Sequence, residues 1–215
     1  MGLENNSGSR TYVNIKEGKL FVGKGDERKE FTALTGYITD LEIKQDEYQG
    51  EKYDVLLITV VDEGDKFLLK MRVGSGYFIG FCMAIGNADL RYKISIIPNL
   101  KEEDGKKKMT CFLTQKIGDE KGKALKWTWS KDNPGDLPPL NKVRFQGKDK
   151  WDGYEQTEFL KGYLMHVIKA KLDDAHPIMQ GGNNDSATRP AGAGAAPKNA
   201  DPAAGITEPI DDLPF

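Results

Sequence analysis

Over most of residues 11–172 apolar and polar side chains alternate with a period of two, which places successive side chains on opposite faces of a strand. TYVNI and KLFVG flank Glu17-Gly18 and predict a hairpin. A long run follows from Phe31 to about Lys44. It is interrupted by Gly36, a residue that inside a strand marks a bulge or bend. QDEYQG, residues 45–50, reads as a turn. YDVLLITVV is a second strand, too continuously apolar to be half solvated, and GDK turns it into a third, FLLKMRV. The period then changes. GSGYFIGFCMAIGNA has helical spacing, with Phe78, Phe81, Met83 and Ile85 near one side and Ser75 as the N-cap. LRYKISII is the fourth strand, PNLKEEDGKK a polar loop and KMTCFLTQKI the fifth strand. ALKWTWS predicts an extra strand, residues 132–139 a Pro- and Gly-rich loop, and Phe159, Leu160, Tyr163, Leu164, Val167 and Ile168 a second helix over 155–172.

Three strands, a helix and two strands, with the first strand long and broken by a glycine, is the order of an OB-fold. That is a five-stranded Greek-key barrel with a helix between its third and fourth strands. The expected fold is therefore mostly β: an OB-type barrel with an extra N-terminal hairpin and a C-terminal helix. Closure would also leave so many short strands without exposed edges.

The composition changes near residue 180. Of residues 181–215, 18 of 35 are Ala, Gly or Pro, and the sole aromatic is Phe215. Such a stretch cannot bury enough apolar area to offset its ordering entropy, so it is expected to be disordered. The organisation that follows is a flexible segment 1–10, a folded domain 11–175, a linker 176–206 and an acidic tip 207–215. The chain carries 31 Lys+Arg and 33 Asp+Glu, a formal net charge of -2. Five acids and two bases lie in the tail, leaving the body at about +1. Near-neutrality gives no direct support to a nucleic-acid binder. Cys82 and Cys111 lie in separate apolar segments and read as buried, reduced thiols, as expected of a cytoplasmic protein. Two His and two Cys without ligand spacing make no zinc site, and no run is long enough to span a membrane.

The most informative stretch is the last. Pro209-Ile210-Asp211-Asp212-Leu213-Pro214-Phe215 combines two carboxylates, a rigid Leu-Pro pair and a terminal Phe with its α-carboxylate. A peptide of this kind places its ring in an apolar pocket while basic groups on a partner bind the carboxylates. With the OB-type order and the Gly/Pro/Ala/Asn tail, the terminus DDLPF resembles the single-stranded DNA-binding proteins of bacteria and their phages. The resemblance is closest at Asp211, Asp212, Leu213, Pro214 and Phe215 and architectural over residues 30–117. It implies single-stranded DNA as ligand, in replication, recombination and repair, with partner proteins docking on the tip. The hairpin at 11–23 and the segment 118–172 have no counterpart there. A divergent phage-type relative, in the host cytoplasm, fits that difference. The bacterial tetramer is not carried over, and a monomer or dimer is expected.

DNA contacts are assigned from strand alternation. If Phe67, Leu69, Met71 and Val73 face the core, Lys70 and Arg72 face outward; likewise Arg91 and Lys93 in the fourth strand, and Phe112 and Lys116 in the fifth. Trp127 and Trp129, two apart, share a face between Lys126 and Lys131. Tyr48 lies in the 45–50 turn, and Trp151 follows Lys148-Asp149-Lys150. Exposed rings beside cations suit unpaired nucleotides, which offer a base face and a phosphate together. No cofactor and no catalytic residue are expected. Two enzyme signals are weaker. Asp40-x-Glu42-x-Lys44 on one strand face is compatible with a metal-dependent nuclease. Gly74-Ser75-Gly76 with Gly80 is one residue too long for a dinucleotide loop and reads as a tight strand-to-helix turn. A third class is an OB-like scaffold that recruits partners without touching DNA.

Overall fold

The computed structural model of the chain describes residues 10–176, apart from residues 24, 104, 118–121 and 146–147. The N-terminal segment expected to be flexible, apart from Arg10, and the expected linker and tip beyond His176 lie outside the described residues. The elements run β1 (Arg10–Lys16), β2 (Lys19–Val22), β3 (Lys29–Phe31), β4 (Leu34–Tyr48), β5 (Glu51–Asp62), β6 (Asp65–Arg72), α1 (Gly76–Ile85), β7 (Ile94–Glu103), β8 (Lys106–Gln115) and β9 (Lys123–Ala124). A separate hairpin follows, β10 (Asn141–Phe145) and β11 (Lys148–Asp152). The described chain ends in a helix made of α2 (Tyr154–Tyr163), a π-helical turn (Leu164–Ile168) and α3 (Lys169–Ala175).

The first nine strands form one mixed sheet in the order β3-β2-β1-β6-β5-β4-β7-β8-β9. The long first strand of the expected barrel is β4, and it serves two partners. Leu34–Gly36 pair with β7, and the strand pairs with β5 from Tyr37 to Tyr48. Gly36 marks the change of partner, because a Cβ there would sit 2.6 Å from Val60 Cγ1 and 2.7 Å from the Val61 carbonyl oxygen. A register shift follows between Ile38 and Asp40.

Among the described residues the expected barrel does not close. Its five strands are β6-β5-β4-β7-β8, so closure requires β6 to pair with β8. Instead β6 pairs in parallel with β1, from Arg10 opposite Lys66 to Asn14 opposite Lys70. The edge of β8 beyond β9 is covered by α1. Gly76 and Gly80 lie on one side of the helix, where a Cβ would fall 2.2 Å from the Met109 carbonyl oxygen and 2.6 Å from the Cys111 nitrogen. The β1–β2 turn then comes round to β7: a Cβ on Gly18 would meet the Leu100 nitrogen at 2.7 Å, and the Gly18 N–H donates to the Tyr77 hydroxyl at 2.8 Å.

Ser75 caps α1 as its position suggests, accepting from the Phe78 N–H at 3.3 Å. The helix is not one-sided as the spacing implied; Tyr77 through Ile85 are all buried. It is enclosed by β8, the core face of the sheet (Val13, Leu41, Leu56, Ile58, Leu69) and the C-terminal helix, whose Leu160, Leu164, Ile168 and Leu172 recur every four residues and are fully buried. Val167, expected on that apolar face, is exposed. Each fully buried Leu, Ile or Phe contributes about 1.5–3 kcal/mol. Cys82 and Cys111 are buried thiols in this core, and burial pushes Cys111 up to about 12.

Three other expectations shift. The 45–50 segment is strand up to Tyr48, with only Gln49-Gly50 in the turn. The fourth strand begins at Ile94 rather than Leu90 and runs through the expected polar loop to Glu103. ALKWTWS contributes only the end of β9; Leu125 onward is irregular, pinned by the Thr128 N–H to the Met83 carbonyl at 2.7 Å.

Gly80→Ala is expected to lower the thermal midpoint, because the added methyl overlaps β8 and overpacking costs about 1–3 kcal/mol against a helix-propensity gain of at most ~1. Gly162→Ala, in α2 with nothing within 4 Å of its Cβ position, is expected to raise it. Thermal denaturation of the two variants gives opposite signs if α1 lies against β8.

Candidate nucleic-acid interface

The face of the sheet turned away from α1 is built by alternation. On β6 it carries Lys66, Leu68, Lys70 and Arg72, opposite the buried Leu69 and Met71. Parallel register aligns β1 beside it, so Arg10 lies opposite Lys66, Tyr12 opposite Leu68 and Asn14 opposite Lys70. β2 adds Lys19 opposite Lys16, and Phe21 opposite Asn14. On these three adjacent strands the face presents Arg10, Lys16, Lys19, Lys66, Lys70 and Arg72 and no carboxylate. Tyr12 is its most open ring, at 62% exposure. Phe21 is covered by the Arg28 guanidinium, 3.3 Å above its centre.

Carboxylates border the strip. Glu30 on β3 meets Lys19 at 2.6 Å, and Asp46 on β4 pairs with Lys70. The hydrogen bond from Lys70 is the largest of the influences that hold the Asp46 carboxyl below the usual range. Arg72 reaches over the Tyr53 ring, 5.2 Å from its centre. Arg10 opposite Lys66 and Lys16 opposite Lys19 are like-charge neighbours, which destabilise a sheet standing alone. A polyanion laid across them removes that repulsion. Charge is thus concentrated here in a chain that is nearly neutral overall.

Of the residues expected to bind DNA, Lys70 and Arg72 lie on this face. Tyr48 shares it near the tip of the β4–β5 hairpin, half-buried. Arg91 and Lys93 do not join them as strand residues, because β7 starts only at Ile94. Arg91 sits in the preceding turn with its guanidinium on both Asp89 oxygens, at 2.9 and 2.6 Å. Lys93 pairs with Asp62 at 2.6 Å, at the end of β5 next to the Val61–Lys66 pair and far from the Val55–Arg72 end. Phe112 points outward, 41% exposed and opposite Ile97, and the exposed Lys116 follows just past the end of the strand. Phe112 lies on β8, however, with Lys116 just beyond it, and β6, β5, β4 and β7 separate β8 from β1.

The tryptophans divide. Trp129 is buried and so offers no face to a base. Its indole N–H donates to Asp136 at 2.8 Å, and its ring meets Phe159 and Tyr163 edge-on at 5.6 and 4.9 Å. Trp127 is half-buried against the core, and because the segment is not a strand the two do not share a strand face. Trp151 is 48% exposed on β11. The tip residues Asp211–Phe215 lie outside the described residues.

Tyr12 was missed from sequence. Its outward position was legible in the alternation of Thr11, Val13 and Ile15, but its place beside β6 depends on a long-range parallel pairing that no local pattern encodes. The nuclease triplet is tied down instead: Asp40 is 3.1 Å from Lys169, and Glu42 is 3.0 Å from Lys44. Among the described residues no three His, Cys, Asp or Glu side chains converge on a metal position, and no helix is long and apolar enough to cross a membrane.

Comparison with protein-family models, with curated proteins and with solved structures finds no match to this chain.

Acrylamide quenching checks the placement of the indoles. Trp151→Phe is expected to remove most of the quenchable emission, and Trp129→Phe to leave it in place. Equal loss in both variants would put Trp129 at the surface.

Proposed function

We propose that this protein binds single-stranded DNA with little sequence preference, protecting replication or recombination intermediates, and recruits partner proteins through its C-terminal tip. The observation that carries the reading is the carboxylate-free face of β2, β1 and β6, with an open tyrosine among six bases. Cations take the phosphates while the ring stacks on a base, an arrangement that tolerates any sequence because every base has a π-face. A duplex hides those faces, so stacking discriminates against it.

The element order supports an opened OB-type architecture: β4, β5 and β6, then α1, then β7 and β8, with β4 pairing both β5 and β7. In OB-folds the second and third strands present the nucleic-acid face. Here those are β5 and β6, and β1 extends the same face sideways. Partner recruitment rests on the sequence of the tip alone, where Asp211, Asp212 and Phe215 supply the charges and the ring.

Competition among oligo-dT, duplex DNA and RNA, read by fluorescence anisotropy at two salt concentrations, tests the reading. Tyr12→Ala is expected to weaken oligo-dT binding about 5- to 100-fold, the loss of one stacked base, without moving the thermal midpoint. Asp46→Asn is expected to strengthen binding at low salt by releasing Lys70, with the gain disappearing at high salt. In the folded protein Asp46 loses its charge only when pH falls through its lowered pKa, so the native pair with Lys70 persists at neutral pH. Unchanged affinity in both variants, or no preference for oligo-dT over duplex, overturns the proposal.

A further inference from the structure

The β10–β11 hairpin stands apart from the nine-stranded sheet. Among the described residues its strands pair only with each other, from Asn141 opposite Asp152 to Phe145 opposite Lys148. An isolated two-stranded ribbon has little to bury and is marginal in water unless something packs on it. This one nevertheless displays large apolar groups: Trp151 at 48% exposure, Val143 at 41%, and Tyr154 just beyond it at 68%. Trp151 lies opposite Lys142, whose ammonium is 5.4 Å from the indole centre, and the exposed Arg144 is two residues along the same face. Residues 141–152 carry four bases and two acids. An open indole beside Lys142 and Arg144, with Asp149 at the register position opposite Arg144, shares with the β1–β6 face the pairing of an exposed ring with cations, on an element outside the main sheet.

We propose that this hairpin is a second, separate contact for the same unpaired strand, engaged only by a strand long enough to leave the main face. The inference rests on the reading above, which supplies the ligand. Net positive charge argues for a polyanion rather than an apolar protein surface, and the half-exposed indole for a base. Joining two weak contacts through one strand makes the second binding event intramolecular, so affinity rises with length beyond what one face supplies.

The test uses the full chain and two oligo-dT lengths. About 8 nucleotides falls within the ~4–16 that one such face holds, and about 30 exceeds it. Trp151→Ala is expected to leave the short oligonucleotide's affinity unchanged and to weaken the long one about 5- to 100-fold. Arg144→Glu is expected to do the same and to flatten the salt dependence of the long one only. Wild-type thermal midpoints in both variants show that the fold is intact. Equal weakening at both lengths would make the hairpin part of a single face and overturn the inference. Unchanged affinity at both lengths would overturn it while leaving the main face as the binding site. Failure of the wild type to bind either length would remove the ligand itself, and the functional reading with it.

Discussion

An unpaired strand edge exposes a row of amide and carbonyl groups that must find partners. The chain has two such edges to satisfy once β4 to β8 have formed, those of β6 and β8, and it treats them differently. β1 fills the first by parallel pairing, and α1, pressed close through Gly76 and Gly80, covers the second. Direct pairing of the two edges would have made a closed barrel. Inserting β1 and α1 leaves an open, rolled sheet whose β1–β2 turn reaches round to β7 at Gly18.

The same insertion creates the basic face. β6 alone offers Lys66, Lys70 and Arg72. Parallel register sets Arg10 and Tyr12 beside it, and the β1–β2 hairpin brings Lys16 and Lys19. A nearly neutral domain thereby acquires a strip without carboxylates, flanked by Glu30 and Asp46, which hold Lys19 and Lys70 in place. Total charge is a poor guide in such a case, since potential depends on how charges are distributed.

Most strands, both helices and the Ser75 cap are legible in local pattern, because alternation and helical spacing are local properties. Gly36 reads as a break for a sound reason: it sits where β4 exchanges β7 for β5. What escapes is long-range. Nothing near residues 10–16 announces a parallel partner 56 residues away, so closure was expected where β1 intervenes. The polar hairpin at residues 98–107 looked like a loop because its solvated strands lack an apolar face. Trp129 looked like a surface ring because the Pro134-Gly135-Asp136 turn folds back over it and the Phe159–Tyr163 face that also encloses it comes from elsewhere in the chain. The hairpin of β10 and β11 was masked by its charges.

The central claim is that β1 and β6 together hold the unpaired strand. Photo-crosslinking of oligo-dT to the full chain, followed by mass spectrometry of the peptides, tests it most directly. The account predicts adducts at Tyr12 and within residues 65–72. Adducts confined to the β7–β8 face around Phe112, with residues 10–16 and 65–72 unmodified, would contradict it.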